Sequence, residues 1–170
     1  MSVGDAPRLL ASADTAAHGP KRLKRRTSEK QELARVIRLI KQCGDDLTLL
    51  LLRGHLLIEE RLFEIIVKRT RNREMLEAGQ LTFKQKCRMA KSCFEESCEF
   101  INPQDFFNMA NKLNDIRNRV AHRAEVPDLE ALICKFCEQV RTLSGQTPVP
   151  ATVPAQLRSA ITWMYGCSFQ

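Results

Sequence analysis

Four polar residues in the second half of the chain recur at the spacing of one helix face. Asn111, Asp115, Asn118 and His122 follow one another at intervals of four, three and four residues, and a helix turning about 100° per residue places them on one side. Arg117 flanks this stripe. An imidazole, an orienting amide and a fixed positive charge are the groups that a phosphoryl-transfer site uses. The alternative is the solvent-facing side of an amphipathic helix, where the helix dipole favours His and Arg near the carboxyl end.

Other residue types that carry chemistry are sparse. Cys134 and Cys137 have the two-residue gap of metal and redox sites, but zinc needs four ligands and no other cysteine pair has that gap. The stretch also lies mid-helix instead of after a strand, so core thiols are expected. With three histidines and neither a phosphate-cradling glycine loop nor a dinucleotide fingerprint, we expect no cofactor and no metal.

The composition favours one helical domain that positions these residues. A chain of 170 residues, 44% of them hydrophobic, can bury a single core. Leu and Ile dominate, with one Trp, one Tyr and seven Gly, which suits helices better than a turn-rich β fold. The apolar run 47–66 is interrupted by charged residues and predicts a core helix, not a membrane span. Seven cysteines without a secretory signal predict reduced thiols and a cytoplasmic location.

The predicted organisation is a basic tail, a helical domain and a short appended helix. Residues 1–26 lack periodicity, carry six basic and two acidic side chains, and predict a disordered segment that solubilises the protein or contacts nucleic acid. Residues 27–143 form the domain, and 144–170 form a Pro-rich linker with a short helix that docks on the domain. Helix signals predict the following spans: Glu29–Cys43 capped by Ser28, Asp45 or Asp46 to Thr70, Thr82 to Lys91, Pro103–His122, Pro127 onwards, and Ala155–Tyr165.

Part of the predicted stripe resembles a known signature. The run Leu113-Asn114-Asp115-Ile116-Arg117-Asn118-Arg119-Val120-Ala121-His122 resembles the HEPN superfamily, in which an Arg-Asn pair precedes a His near a helix end. Residues 54–62 and 81–86 are similar to a bacterial branch that includes the mannitol operon repressor family. The resemblance spans roughly residues 45–143.

The resemblance implies an all-α, HEPN-like bundle of about five helices that forms a homodimer around one cleft. It also implies a metal-independent endoribonuclease, often a toxin or defence effector, with RNA as partner and a cognate antitoxin or regulatory protein as a further partner. By the same resemblance, His122 is the acid-base group, Arg117 stabilises the charged phosphorane, and Asn118 orients His122. The RNA 2′-OH attacks and leaves a 2′,3′-cyclic phosphate.

The resemblance also indicates three secondary residues of the cleft. They are Asp115 and the pair His55 and Glu59, which lie one turn apart on the predicted central helix. The alternative for this pair is a structural hydrogen bond.

Two features favour an alternative without catalysis. On one straight helix Arg117 and His122 point about 140° apart, so they converge only if the helix ends or distorts, or if a second subunit completes the site. The repressor-like branch is associated with regulation, which makes a transcriptional regulator or protein-interaction module the alternative function.

Where one toxin branch has a modified Tyr, two residues after the His, this chain has Ala124, so silencing by that route is not expected.

Overall fold

The computed structural model describes residues 19–71, 74, 76, 79–93, 101–123 and 125–167, with side chains from residue 28 onward. In this part of the chain all regular structure is helical, which confirms the predicted all-α bundle. The helices are α1 (Gly19–Lys41), α2 (Leu47–Arg69), α3 (Phe83–Cys93), α4 (Pro103–His122), α5 (Leu129–Ser144) and α6 (Val153–Cys167). No helix in the described ranges combines the length and apolarity that a membrane crossing requires.

Local capping signals account for the starts of the three helices that build the site. The Asp46 carboxylate accepts a hydrogen bond from the Leu49 N–H at 2.9 Å and starts α2. Thr82 and Gln85 form a reciprocal capping box at α3. Asn102 accepts from the Gln104 N–H at 2.8 Å, and Pro103 occupies the first helical position of α4. All three starts agree with the sequence predictions.

The first helix differs from its prediction. It begins at Gly19, ten residues before Glu29, so residues 19–26 are helical backbone and Ser28 lies inside α1 instead of capping it. The physical reason is that Lys, Arg and Leu are good helix formers and that no Gly or Pro interrupts residues 21–43. The predicted disorder of residues 1–18 lies outside the described residues.

Helix α2 is central, as its apolar residues on more than one face predict. It packs against α1, α3, α4 and α6, and Leu50, Leu51 and Ile58 are fully buried. The carboxyl-terminal helix α6 docks on the domain as predicted, since it packs against α1, α2 and α5. Leu157 and Ile161 of α6 lie in the same core as the α2 residues. The helices that carry the predicted site are therefore held on one rigid apolar core.

Candidate functional site

Helix α4 has the predicted amphipathic character. Its inward face carries Phe106, Ala110 and Leu113, all buried. On the polar stripe, Asn111 and Asn118 are half-buried, whereas Asp115 and His122 are exposed. Arg117 is also half-buried, and its Nη1 donates a hydrogen bond to Oδ1 of Asn118 at 3.1 Å.

A buried polar contact joins α4 to α2. His55 on α2 is 2% exposed and Asn114 on α4 is 5% exposed. Nε2 of His55 lies 3.1 Å from Oδ1 of Asn114, and the imidazole packs against the Phe83 ring at a centroid distance of 4.6 Å. Because Phe83 begins α3, one side chain of α2 contacts both neighbouring helices.

A carboxylate lies on the other side of the imidazole. Glu59 follows His55 by one turn, and its Oε2 is 3.8 Å from Nδ1 of His55. Oε1 of Glu59 accepts a hydrogen bond from Nζ of Lys86 at 2.8 Å. Nδ1 of His55 is buried and has no hydrogen-bond partner among the described residues. The imidazole therefore has one paired nitrogen and one nitrogen that faces a carboxylate beyond hydrogen-bond distance.

Burial favours the neutral form of His55. Desolvation lowers the pKa of His55 below its ordinary value of 6.5 because the charged imidazolium loses solvation. The Asn114 hydrogen bond and the Glu59 charge oppose this shift, while the positive charges of Arg117 and Lys86 add to it. A neutral imidazole can accept a proton through one nitrogen while it donates through the other.

These helices form a cleft of about 390 Å³ that we call the α2/α4 cleft. It is lined by His55, Glu59, Thr82, Phe83, Lys84, Asn114, Arg117 and Asn118. Lys84 and Arg117 contribute positive charge, and Glu59, the one carboxylate among the described lining residues, is already paired with Lys86. The cleft therefore favours a small anion such as a phosphate group.

Of the six residues predicted to act in the cleft, the structure brings four together. Arg117 and Asn118 share the α2/α4 cleft with His55 and Glu59. Asp115 lies outside it, and so does His122, the exposed final residue of α4. Oδ1 of Asn118 accepts a hydrogen bond from Arg117, and a role for Asn118 in orienting His122 stays a prediction. Ala124 lies outside the described residues.

Sequence reasoning missed Asn114, Lys84 and Lys86. Asn114 had a detectable signal, because it lies four residues after the buried Ala110 and so stands at a core position of α4. A polar residue at such a position indicates a buried hydrogen bond. The two lysines had no comparable signal, since only the packing of α3 beside α2 brings Lys84 to the cleft and Lys86 to Glu59.

Next to the cleft lies a second depression, the α3/α4 groove, also of about 390 Å³. Its lining residues are Lys84, Cys87, Arg88, Lys91, Gln104, Phe107, Asn111 and Asp115. The polar stripe of α4 is thus divided, with Asn111 and Asp115 in the groove and Asn118 in the cleft.

The cysteines do not assemble a metal centre in the described part of the chain. No group of three or more His, Cys, Asp or Glu side chains there has a metal-binding arrangement. Cys137 is buried, and desolvation raises the pKa of its thiol to about 12, as expected for a core thiol. Cys134 is half-buried and unpaired.

Comparisons with protein-family models, with curated proteins and with solved structures find no match to this chain.

Proposed function

We propose that this protein is a metal-independent endoribonuclease of the HEPN type that works as a homodimer in the cytoplasm. The observation that carries this proposal is the composition of the α2/α4 cleft. Arg117 and Asn118, the Arg-Asn pair of the signature, lie in a basic cleft with the buried imidazole of His55. A basic cleft with a fixed guanidinium is what stabilisation of a phosphorane requires.

The proposed reaction is an internal transfer at phosphorus. A base takes the proton of the RNA 2′-OH, the 2′ oxygen bonds to the adjacent phosphorus, and the bond from phosphorus to the 5′ oxygen breaks. An acid protonates that leaving oxygen, so the products are a 2′,3′-cyclic phosphate and a 5′-OH. Arg117 would stabilise the charge that develops on the phosphorus oxygens, and its hydrogen bond to Asn118 fixes its direction.

His122 would supply the acid-base group from the end of α4. It is exposed and is therefore accessible to a strand that extends beyond the cleft or to the cleft of a second copy. His55 is assigned a different role. Its buried contact with Asn114 positions α4 relative to α2, and so positions Arg117 three residues further along.

The deciding experiment is cleavage of total RNA in EDTA by the wild-type protein and by His122→Ala and Arg117→Ala. We expect wild-type cleavage with cyclic phosphate ends and a loss of about a hundredfold or more in each variant. Lys135→Ala, an exposed position on α5 outside the cleft lining, is the matched control and should cleave normally. Equal activity in wild type and His122→Ala would point to a contaminating nuclease and contradict the proposal.

A non-catalytic regulator resembling the mannitol operon repressor family is the second candidate. It is favoured by the position of His122 outside the α2/α4 cleft of a single chain. In that case Arg117 and Asn118 form a polar network at a protein interface, and a regulatory protein or antitoxin is the partner. Absence of cleavage by a folded, dimeric wild-type protein would support this candidate.

A further inference from the structure

The α3/α4 groove carries a row of positive charges along one wall. Lys84, Arg88 and Lys91 are exposed on α3 at intervals of four and three residues, so they follow one helix face over about 10 Å. In the described part of the chain none of the three has a carboxylate partner at ion-pair distance. The row therefore keeps its charge available for a ligand.

The opposite wall is polar and only weakly acidic. Gln104, Asn111 and Asp115 line it from α4, and Gln104 accepts a hydrogen bond from Lys91 across the groove. Among the described lining residues, three cations face one carboxylate, which gives this part of the groove a net positive charge. Phe107, the one aromatic side chain among the lining residues that the structure describes, is 3% exposed and offers no face on which a base could stack. A ligand would be recognised here through phosphates, not through bases.

The groove and the cleft are continuous at Lys84. This residue lines both depressions, with Arg88 and Lys91 on one side of it and Arg117 on the other. A chain of phosphates that lies along α3 would therefore lead into the cleft where Arg117 and Asn118 are found.

We propose that the α3/α4 groove binds the sugar–phosphate backbone of a single nucleic-acid strand and directs it into the α2/α4 cleft. This assignment rests on the proposed function for the fate of the strand in the cleft, whereas binding in the groove does not require cleavage. One row of cations fits one backbone, and a row of about 10 Å contacts only a few consecutive phosphates. Because contacts to phosphate carry no sequence information, the groove binds single-stranded DNA as well as RNA.

The test measures binding of fluorescent oligo(dT) and of 2′-O-methyl oligouridine, neither of which has a free 2′-OH, as a function of salt. The groove variant is Lys84→Gln/Arg88→Gln/Lys91→Gln in the full chain. The matched control is Arg38→Gln/Lys41→Gln/Lys135→Gln, which removes three exposed positive charges from α1 and α5. Both variants keep the basic run at residues 21–26, so binding by that run is the same in each.

We expect the groove variant to bind both oligonucleotides about tenfold more weakly. The slope of log K against log salt should fall in magnitude by about 2, since each lost phosphate contact on a single strand contributes about 0.7. The control should remain within about twofold of wild type. Lysine acetylation of the wild-type protein gives an independent readout, because bound oligo(dT) should protect Lys84 and Lys91 but leave Lys41 and Lys135 reactive.

The outcomes separate the two proposals. If the groove variant and the control bind alike, or if wild type binds neither oligonucleotide at low salt, the groove assignment is wrong whether or not RNA is cleaved. If the groove variant alone loses binding and wild type cleaves no RNA, the groove assignment holds and the ribonuclease proposal fails. Circular dichroism that matches wild type confirms that both variants are folded.

Discussion

His55 and Asn114 place a polar contact in the interior, at positions where apolar side chains would otherwise pack. Burial of an imidazole and an amide costs free energy unless both are paired, and within the described residues only Nε2 of the imidazole has a hydrogen-bond partner. Nδ1 lies 3.8 Å from Glu59, which Lys86 holds in place. The residue pair is therefore tied both to the core and to the charges of the α2/α4 cleft.

This arrangement predicts that the free energy of unfolding decreases at acidic pH. The unfolded chain binds a proton at His55 near pH 6.5, whereas the folded chain binds it only at lower pH, because burial lowers the pKa of His55. The contribution of neutral His55 is therefore complete above pH 6.5 and is lost as the pH falls towards the folded-state pKa. Within that window the free energy of unfolding should decrease by up to about 1.4 kcal/mol per pH unit.

Urea unfolding of wild type and His55→Gln between neutral and mildly acidic pH measures this effect. The variant should be less stable at neutral pH but should lack the His55 part of the acid slope. His122→Gln, at the exposed end of α4, is the control and should keep the His55 part of the slope. An identical slope in wild type and His55→Gln would show that His55 is not the group responsible.

Among the helix pairs, α2 and α6 approach each other at Gly54. A methyl group at this position would overlap Cδ1 of Ile161 and lie 2.9 Å from its Cγ1. Ile161 is fully buried, so it has little space into which it can move. The glycine thus allows α6 to pack directly on the central helix.

We predict that Gly54→Ala lowers the free energy of unfolding by about 1–3 kcal/mol, because the overlap outweighs the better helix propensity of Ala. Urea unfolding measures the change, and Gly166→Ala is the matched control. A Cβ at Gly166 would meet no heavy atom within 4 Å, so that variant should be unchanged or slightly more stable. The double variant Gly54→Ala/Ile161→Ala relieves the clash. Its loss of unfolding free energy should therefore be smaller than the sum of the losses in the two single variants. Strict additivity would contradict the steric explanation.

The sequence predicted the individual helices better than it predicted which helices pack against each other. Asn102 and Pro103 define the start of α4 by local chemistry alone, and Thr82 does the same for α3. The start of α1 was missed because no strong stop signal separates residues 21–28 from the helix that follows. At the candidate site, the predicted Arg117 and Asn118 share a cleft with His55 and Glu59. The contributions of Lys84 and Asn114 depend on which helices pack together, and one sequence does not specify that packing.

One continuous core joins α1, at the start of the described chain, to α6 at its end. Tyr165 near the end of α6 is buried, and its hydroxyl donates a hydrogen bond to Glu32 of α1 at 3.1 Å. Arg158 of α6 contacts the Gly44 carbonyl at 2.6 Å and the Asp45 carboxylate at 3.0 Å. Helix α6 is therefore a structural part of the bundle, in agreement with the predicted docking of this helix on the domain.

The buried free thiols of this core can report on local or global unfolding of the protein. Cys87 on α3 and Cys137 on α5 are buried, and desolvation raises the pKa of each to about 12. Since a thiolate is the form that alkylating reagents attack, both should react only when their surroundings open, whereas the half-buried Cys93 and Cys134 should react sooner.

We predict that site-resolved iodoacetamide labelling at neutral pH distinguishes global unfolding from local opening. Equal rates at Cys87 and Cys137 would mean that the bundle opens as one unit. Faster labelling of Cys87 would mean that α3 separates first from the rest of the core, which exposes the cleft and the groove while α5 and α6 stay packed. Labelling of either buried thiol as fast as that of Cys93 would contradict their burial.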